Sequence, residues 1–278
     1  MNIKDLVTLA LEEDLGDGDH TSLATVPHDA VGEAVMYAKQ NGVLSGMEVA
    51  KEVFKQVDKE IIVDILITDG SKINVGDKVM VVKGRSRSIL SAERTALNFV
   101  QRMSGIATFT NEIVNRIDGL HTKLLDTRKT TPVNRIVEKM AVKTGGGYNH
   151  RFGLFDMIMI KDNHVDFAGG IEKAINATLS YLRENNKDLK IELEVRNFEE
   201  LGEALRVGGI HRIMLDNFSP AELKKALKII DGKYETEASG GISIETIRDY
   251  AETGVDFISV GALTHQIKSL DLSLKANF

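Results

Sequence analysis

The stretch TGGGYNHRFGLFDMIMIKDNH, which runs from Thr144 to His164, combines three features that decide how the rest of the chain is interpreted. Three consecutive glycines form a loop, and His150 and Arg151 then place two cation-capable side chains next to each other. A short apolar run follows and ends on Lys161, Asp162, Asn163 and His164. Such a run, bounded by polar residues, is typical of a buried strand, and α/β folds bind their ligands at strand ends. A flexible turn beside a solvated loop would show the same letters, so the choice depends on the remaining segments.

Composition excludes several classes of protein. The 278 residues carry a net charge of −6, only 5% of them are aromatic and none is Trp, which argues against a basic stacking surface for nucleic acid. No run of 18 apolar residues occurs, and the acidic N-terminal segment does not resemble a signal peptide, so no membrane association is expected. The absence of cysteine excludes disulfides, thiolate metal sites and a cysteine nucleophile, and it fits a cytoplasmic enzyme.

The first part of the chain predicts a small α+β domain with an antiparallel sheet. A helix is expected over residues 2–15 and another over 47–57, with strands over 33–40, 61–68 and 77–84 between turn signals. Residues 89–116 form a long helical pattern with an expected break near Ser104 and Gly105. Ser91 could cap this helix, which would place Arg94 in its first turn, where the helix dipole does not favour a cation.

After residue 120, strand-like and helical segments alternate. The strand-like runs are TKLLDT (122–127), MIMIK (157–161), IELEV (191–195), RIMLD (212–216), YETEAS (234–239) and DFISVG (256–261), and helices are expected to begin near Pro132, Gly170, Phe198, Ser219 and Ser243. Repeated βα units of this spacing predict a parallel sheet, either open or closed into a barrel.

The residues at the strand ends divide by chemistry. Within an acidic protein, five cation-capable side chains that suit carboxylates or phosphates lie within 34 residues, namely Arg128, Lys129, His150, Arg151 and Lys161. Glu194 and Asp216 could hold Mg²⁺ or accept hydrogen bonds from ribose hydroxyls, whereas Glu192 alternates with Glu194 and should point to the other face. Backbone N–H groups at Ser239-Gly240-Gly241 and Gly261-Ala262 suit phosphate. Together the strand ends predict a site for a polyanion with sugar hydroxyls beside a second anion.

Eight segments, in this order, resemble the quinolinate phosphoribosyltransferase family, whose activity is also called carboxylating nicotinate-nucleotide diphosphorylase. They are ALEEDLGDGDHTS, SAERTALNFVQRMSGIAT, LLDTRKTTP, AVKTGGGYNHRFGLFDMIMIKDNH, IELEV, IMLDN, EASGGI and VGALTH, and they span nearly the whole chain. The resemblance implies an N-terminal α/β sandwich domain (1–107) and an incomplete, open α/β barrel of six or seven parallel strands (108–265), with a tail (266–278) packed back on the sandwich. It also implies that quinolinate and phosphoribosyl pyrophosphate give nicotinate mononucleotide, pyrophosphate and CO₂ in NAD biosynthesis, with Mg²⁺.

The resemblance implies a role for each site residue. Arg128, His150, Arg151 and Lys161 would surround the quinolinate carboxylates, and Lys129 would lie between the two substrates. Glu194 and Asp216 would contact ribose hydroxyls, or Mg²⁺ through substrate and water, and with Lys129 and Lys161 they form the expected catalytic set. Ser239, Gly240, Gly241 and Gly261 would hold the 5′-phosphate, and Thr127, Val260 and Ala262 complete the expected substrate-binding set. Arg94 would enter the site of a neighbouring subunit, so a homodimer would be the smallest functional unit, alone or within a hexamer.

One segment departs from the family pattern, and other functions stay open. Val133-Asn134-Arg135 stands where the family often has Gly-Leu-Arg, which changes the backbone freedom of that loop. The alternatives are a related phosphoribosyltransferase for another ring acid, such as the molybdenum-transport-associated relative, and a non-catalytic anion-binding barrel. A phosphosugar isomerase would need a clear acid/base pair, which the cationic cluster does not supply. His164 and His265 have no assigned role; either could cap a carbonyl.

Overall fold

The computed structural model describes residues 2–277, which form two compact units, each with its own sheet. Within the described residues, the first unit comprises 2–112, 129–146 and 262–277, and the second comprises 113–128 and 147–261. No helix in this part of the chain combines the length and apolar character needed to cross a membrane.

The first unit is an antiparallel sheet with helices. Its helices are α1 (Ile3–Leu15), α2 (His20–Thr25), α3 (Met47–Val57), α4 (Ser86–Arg116, of which 113–116 belong to the second unit), α5 (Arg135–Thr144) and α11 (Ala262–His265). Its strands are β1 (Val31–Ala38), β2 (Gly42–Val43), β3 (Ile62–Ile65), β4 (Lys72–Ile73), β5 (Lys78–Arg85) and β12 (Leu272–Asn277). The main sheet has the order β12-β1-β5-β3, and β2 pairs with β4. The predicted antiparallel sheet is therefore confirmed, and α3 has the predicted bounds.

Two predictions about α4 are wrong. The helix begins at Ser86, so Ser91 lies inside it, where its hydroxyl donates to Asp19 Oδ2 at 3.2 Å instead of capping an end. The helix also continues without a break through Ser104 and Gly105. Gly105 is required there because a Cβ atom would collide with the backbone of residues 268 and 269, so the glycine serves close packing and does not interrupt the helix.

The second unit is built on a six-stranded sheet. Its strands are β6 (Lys123–Leu125), β7 (Ile158–Ile160), β8 (Ile191–Val195), β9 (Arg212–Asp216), β10 (Glu235–Ser239) and β11 (Phe257–Ser259). The helices between them are α6 (Asp162–Ala168), α7 (Ile171–Glu184), α8 (Phe198–Val207), α9 (Pro220–Ile230) and α10 (Ile247–Ala251). All neighbours in the order β6-β11-β10-β9-β8-β7 are parallel. Since β6 and β7 do not pair with each other anywhere in residues 2–277, the sheet is open, as predicted.

Local sequence explains most of these bounds. Ser219 caps α9 by accepting from Glu222 N–H, and Pro220 occupies the first turn, as predicted from the Ser-Pro-Ala-Glu pattern. The helices expected near Pro132 and Ser243 begin later, at Arg135 and Ile247, because turns precede them. All five residues of β8 are buried, including Glu192 and Glu194. Buried carboxylates need charged or hydrogen-bonding partners, and these partners define the site described next.

Candidate active site

The parallel sheet brings the predicted residues of the second unit to one edge. Because all six strands run in the same direction, their carboxyl ends face the same way, where α/β folds place ligands. In sheet order these ends carry Thr127 and Arg128 after β6, Val260 and Gly261 after β11, Ser239, Gly240 and Gly241 at β10, Asp216 at β9, Glu194 in β8 and Lys161 after β7. The register pairs Ser239 with Asp216, so the phosphate-type and carboxylate-type ends are neighbours.

Lys161 forms an ion pair with Glu194, in which Nζ lies 3.2 Å from Oε2. Glu194 is 8% exposed, so the ammonium group compensates a nearly buried carboxylate. Burial and the charge of Glu194 raise the pKa of Asp216, while Lys161 acts in the opposite direction. The two carboxylates are thus close enough to repel each other and share the field of one lysine.

The glycines at the end of β10 adopt conformations that other residues avoid. Gly240 has φ +95° and Gly241 has φ +63°, both in the left-handed region. A Cβ atom on Gly240 would collide with the side chain of Asn217, whose N–H donates to the Ser239 carbonyl at 2.8 Å. The turns after β9 and β10 are therefore in close contact.

Arg128 and Arg151 lie close enough to influence each other. Burial lowers the pKa of Arg151, and the positive charge of Arg128 lowers it further. The Arg151 guanidinium donates from Nη1 to the Met157 carbonyl at 3.2 Å, which fixes its direction. Two guanidinium groups that repel each other are suited to an anion with more than one negative charge.

His150 belongs to a buried cluster with two carboxylates. Its Nε2 lies 3.0 Å from Glu192 Oε2 and 3.2 Å from Glu237 Oε2, and both glutamates are fully buried. Its backbone N–H donates to Asp126 Oδ1 at 2.8 Å, and its Nδ1 accepts the N–H of Arg151 at 2.6 Å. The cluster joins β8, β10 and the loop that follows α5.

The buried cluster shifts the pKa values of His150 and Glu192. Burial opposes a charged His150, but Glu192 and Glu237 outweigh burial and raise the pKa of His150 to about 9. Burial and the neighbouring Glu237 raise the pKa of Glu192 to about 7. The two carboxylates thus favour a charged His150, while burial and Glu237 make Glu192 easier to protonate than an ordinary glutamate.

The first unit holds the segment that begins at Lys129. Thr264 Oγ1 donates to the Lys129 carbonyl at 2.8 Å, and Arg102 Nη2 donates to Thr131 Oγ1 at 2.9 Å. Arg102 also pairs with Glu138, which is fully buried. Ala262, the last residue of the predicted phosphate-binding set, begins α11, and Arg94 is exposed on α4.

Two clusters of side chains offer carboxylate oxygens to a divalent cation. Glu194 and Asp216 come from adjacent strands and repel each other, and Lys161, 3.2 Å from Glu194, already relieves part of this repulsion. The pair fits Mg²⁺ in chemistry provided that substrate and water supply the other oxygen ligands. The ligand atoms of His150, Glu192 and Glu237 lie within 4.8 Å of one another, but Arg212 Nη1 is 3.1 Å from Glu237 Oε2. A cation there would face this guanidinium, so the cluster fits protons better than a metal.

The comparisons with known proteins decide the family. The model of the quinolinate phosphoribosyl transferase C-terminal domain matches residues 106–275, and that of the N-terminal domain matches residues 19–104. The chain belongs to the quinolinate phosphoribosyltransferase family. Tobacco quinolinate phosphoribosyltransferase [decarboxylating] 1b is 44% identical over 99% of this chain and 82% of its own length. The probable nicotinate-nucleotide pyrophosphorylase [carboxylating] of Bacillus subtilis is 40% identical over 99% of this chain and 93% of its own.

Solved structures agree with this assignment. The nicotinate-nucleotide pyrophosphorylase from Francisella tularensis superposes with a TM-score of 0.92 at 44% identity, covering 99% of this chain and 96% of that one. The resemblance predicted from the sequence is confirmed, and so are the enzyme class, a phosphoribosyltransferase, and the predicted quinolinate phosphoribosyltransferase function.

The departure of this quinolinate phosphoribosyltransferase chain from its family pattern has a structural counterpart. Val133, which stands where the family often has glycine, has φ +70° and is 56% exposed. A β-branched residue in the left-handed region is strained. The loop thus keeps a backbone conformation suited to glycine although the glycine is absent.

Sequence reasoning missed several partners of the site residues. The prediction that Glu192 and Glu194 point to opposite faces is wrong, because side chains two residues apart along a strand lie on the same face. The sequence also did not identify His150 and Glu237 as the partners of Glu192. Arg212 and Arg102 were also missed. The available signal was a glutamate in an otherwise apolar strand, which requires a buried partner without naming it.

Proposed function

We propose that the carboxyl edge of the six-stranded sheet binds quinolinate through paired cations. Arg128, Arg151 and Lys161 bind its two carboxylates, and His150 adjoins them through Arg151. The observation that carries this proposal is the closeness of Arg128 to Arg151, which lowers the pKa of Arg151 and would be relieved by a dianion. Quinolinate loses water on binding, so its charges require such partners.

The second substrate, phosphoribosyl pyrophosphate, occupies the neighbouring strand ends. Backbone N–H groups of Ser239, Gly240, Gly241 and Gly261 hold the 5′-phosphate, beside Thr127, Val260 and Ala262. Glu194 and Asp216 face the ribose, where they accept hydrogen bonds from its hydroxyls. Lys129 is the residue to which the family resemblance gives the role of neutralising charge on the pyrophosphate.

Transfer precedes loss of CO₂. As the ring nitrogen displaces pyrophosphate at the anomeric carbon, positive charge develops on the ribose, and the carboxylates of Glu194 and Asp216 stabilise it. The nitrogen then carries a positive charge, which stabilises the carbanion left when the adjacent carboxylate departs as CO₂, and this carbon takes up a proton from water. The products are nicotinate mononucleotide, pyrophosphate and CO₂, which serve NAD biosynthesis, and no covalent nucleophile is needed.

Glu194 and Asp216 are also the residues we assign to Mg²⁺, directly or through substrate and water. When bound, Mg²⁺ neutralises the leaving pyrophosphate. The mutual repulsion of the two carboxylates supports this assignment. Without Mg²⁺, no product should form, whereas the fold of the ligand-free protein and its free energy of unfolding should stay unchanged.

The test of the function is a direct assay of nicotinate mononucleotide from quinolinate and phosphoribosyl pyrophosphate, with nicotinate as competing substrate. We expect product from quinolinate alone and loss of turnover in Arg151→Ala and Lys161→Ala, with the fold retained. Lys190→Ala is the matched control, since Lys190 pairs with Glu235 on the same sheet and is 62% exposed. Product from nicotinate instead, or none from a folded protein, would contradict the proposal.

A further inference from the structure

The second unit buries more charge than the strand-end chemistry requires. Glu192 and Glu237 are both fully buried, and His150 is 8% exposed. The Arg212 side chain, 12% exposed, lies 3.1 Å from Glu237 Oε2 and also pairs with Glu235 Oε2 at 3.1 Å. Taking such groups out of water is costly, and apolar residues of similar size would often give an equal or better core.

Some of the buried oxygens gain nothing from this arrangement. Glu192 Oε1 and Glu237 Oε1 have no hydrogen-bond partner among residues 2–277, although both are removed from solvent. A network selected only for stability would satisfy these acceptors, because an unsatisfied buried carboxylate oxygen is destabilising. Both carboxylates instead meet one atom, Nε2 of His150, and Glu237 Oε2 also accepts from Arg212 Nη1.

From His150 the contacts lead directly to the site. With Nε2 facing the two carboxylates, the ring presents Nδ1 to the N–H of Arg151 at 2.6 Å. A second hydrogen bond, from the His150 N–H to Asp126 Oδ1 at 2.8 Å, fixes the same dipeptide from the backbone side. The orientation of the imidazole thus determines where the chain places Arg151, whose guanidinium is fixed in turn by the Met157 carbonyl.

We propose that Glu192 and Glu237 are positioning residues that hold the His150 ring and thereby fix Arg151 for recognition of a quinolinate carboxylate. This inference rests on the proposed role of Arg151 in quinolinate binding. Neither glutamate touches substrate, because both are fully buried. Their effect is confined to the quinolinate side of the site and leaves the phosphoribosyl side unchanged.

The test compares Glu192→Gln and Glu237→Gln with Glu235→Gln, a matched control that pairs with Arg212 but does not touch His150. We expect the first two variants to raise KM for quinolinate about tenfold or more, since small misplacements of binding groups have effects of this size. KM for phosphoribosyl pyrophosphate should stay within about twofold in all three, and Glu235→Gln should resemble the parent. Circular dichroism verifies folding, and Glu237→Gln carries the test should Glu192→Gln not fold.

A double variant separates positioning from packing. If Glu192 acts through Arg151, Glu192→Gln should change KM for quinolinate little when it is combined with Arg151→Lys. Equal effects of Glu235→Gln and Glu237→Gln, or an unchanged KM in both buried variants, would overturn the positioning role. Parental turnover in Arg151→Ala would overturn the proposed function of Arg151 itself. Lost turnover in Arg151→Ala with an unaffected Glu192→Gln would overturn only the positioning role.

Discussion

Arg102 and Glu138 form an ion pair in which Nε and Nη2 of the arginine lie 2.8 Å and 2.7 Å from the same carboxylate oxygen. The other oxygen, Glu138 Oε2, accepts the N–H of Thr131 at 3.2 Å. Because Arg102 also donates to the Thr131 hydroxyl, α4 and α5 together hold the segment that follows Lys129.

Arg102→Met should destabilise the protein strongly. It leaves the fully buried Glu138 carboxylate without its guanidinium, and breaking a buried pair in this way costs about 3–5 kcal/mol. Chemical denaturation measures the free energy of unfolding. Arg206→Met is the matched control, because Arg206 pairs with Glu172 at 2.6 Å on the surface, where such a pair contributes about 1 kcal/mol or less. Equal losses in the two variants would contradict the buried role.

Val133→Gly should stabilise the protein. The left-handed conformation of Val133 costs about 1–2 kcal/mol, which glycine avoids, while glycine loses about 0.5–1 kcal/mol through greater freedom in the unfolded chain. The expected net gain in unfolding free energy is about 1 kcal/mol or less, read from denaturant titration. Val75→Gly is the control, since Val75 is 64% exposed and lies outside the left-handed region. A loss of stability in both variants would show that Val133 is not strained.

Asp216→Asn should stabilise the free protein and remove its activity. Burial and Glu194 raise the pKa of Asp216 in the folded state, so ionisation of this carboxyl opposes folding. The penalty is absent below the ordinary pKa of 3.8, where both states are protonated, and it develops as the pH rises through the folded-state value. Near neutral pH, the melting temperature of Asp216→Asn should therefore be higher than that of the parent protein. This difference should decrease on acidification. A gain that persists below pH 3.8 would point to packing instead.

Mixing two inactive variants should restore activity if Arg94 completes a neighbouring site. Arg94 is exposed on α4, and Lys161 lies at the sheet edge of the other unit. In randomly reassorted homodimers of Arg94→Ala and Lys161→Ala subunits, about a quarter of the sites would contain both parental residues. The measurement is product formation after unfolding and refolding the mixture together. Activity no greater than the sum of the separate variants would contradict donation of Arg94.

Much of the fold could be predicted from local signals, and the partners of the site could not. The strands IELEV and RIMLD have the predicted bounds because turn residues mark both ends of each short, β-rich segment. Gly105 is explained by its close packing against residues 268 and 269, which no local window contains. The contacts of His150 with Glu192 and Glu237 likewise join residues separated by 42 and 87 positions (192 − 150 and 237 − 150). Side-chain alternation indicates a face of a strand, whereas only the assembled sheet shows what occupies it.

Strand β12 pairs with β1 over Glu33 to Ala38, so residues near the two ends of the chain share one sheet. During synthesis β1 emerges early and can pair with β5, but its other edge lacks a partner until residues 272–277 have left the ribosome. All of the second unit's strands are made in the interval. An exposed strand edge is a template for pairing with other chains. The chain is therefore most prone to aggregation before residues 272–277 have been made. A shortened β12 would leave this edge of β1 without its partner in the finished protein as well.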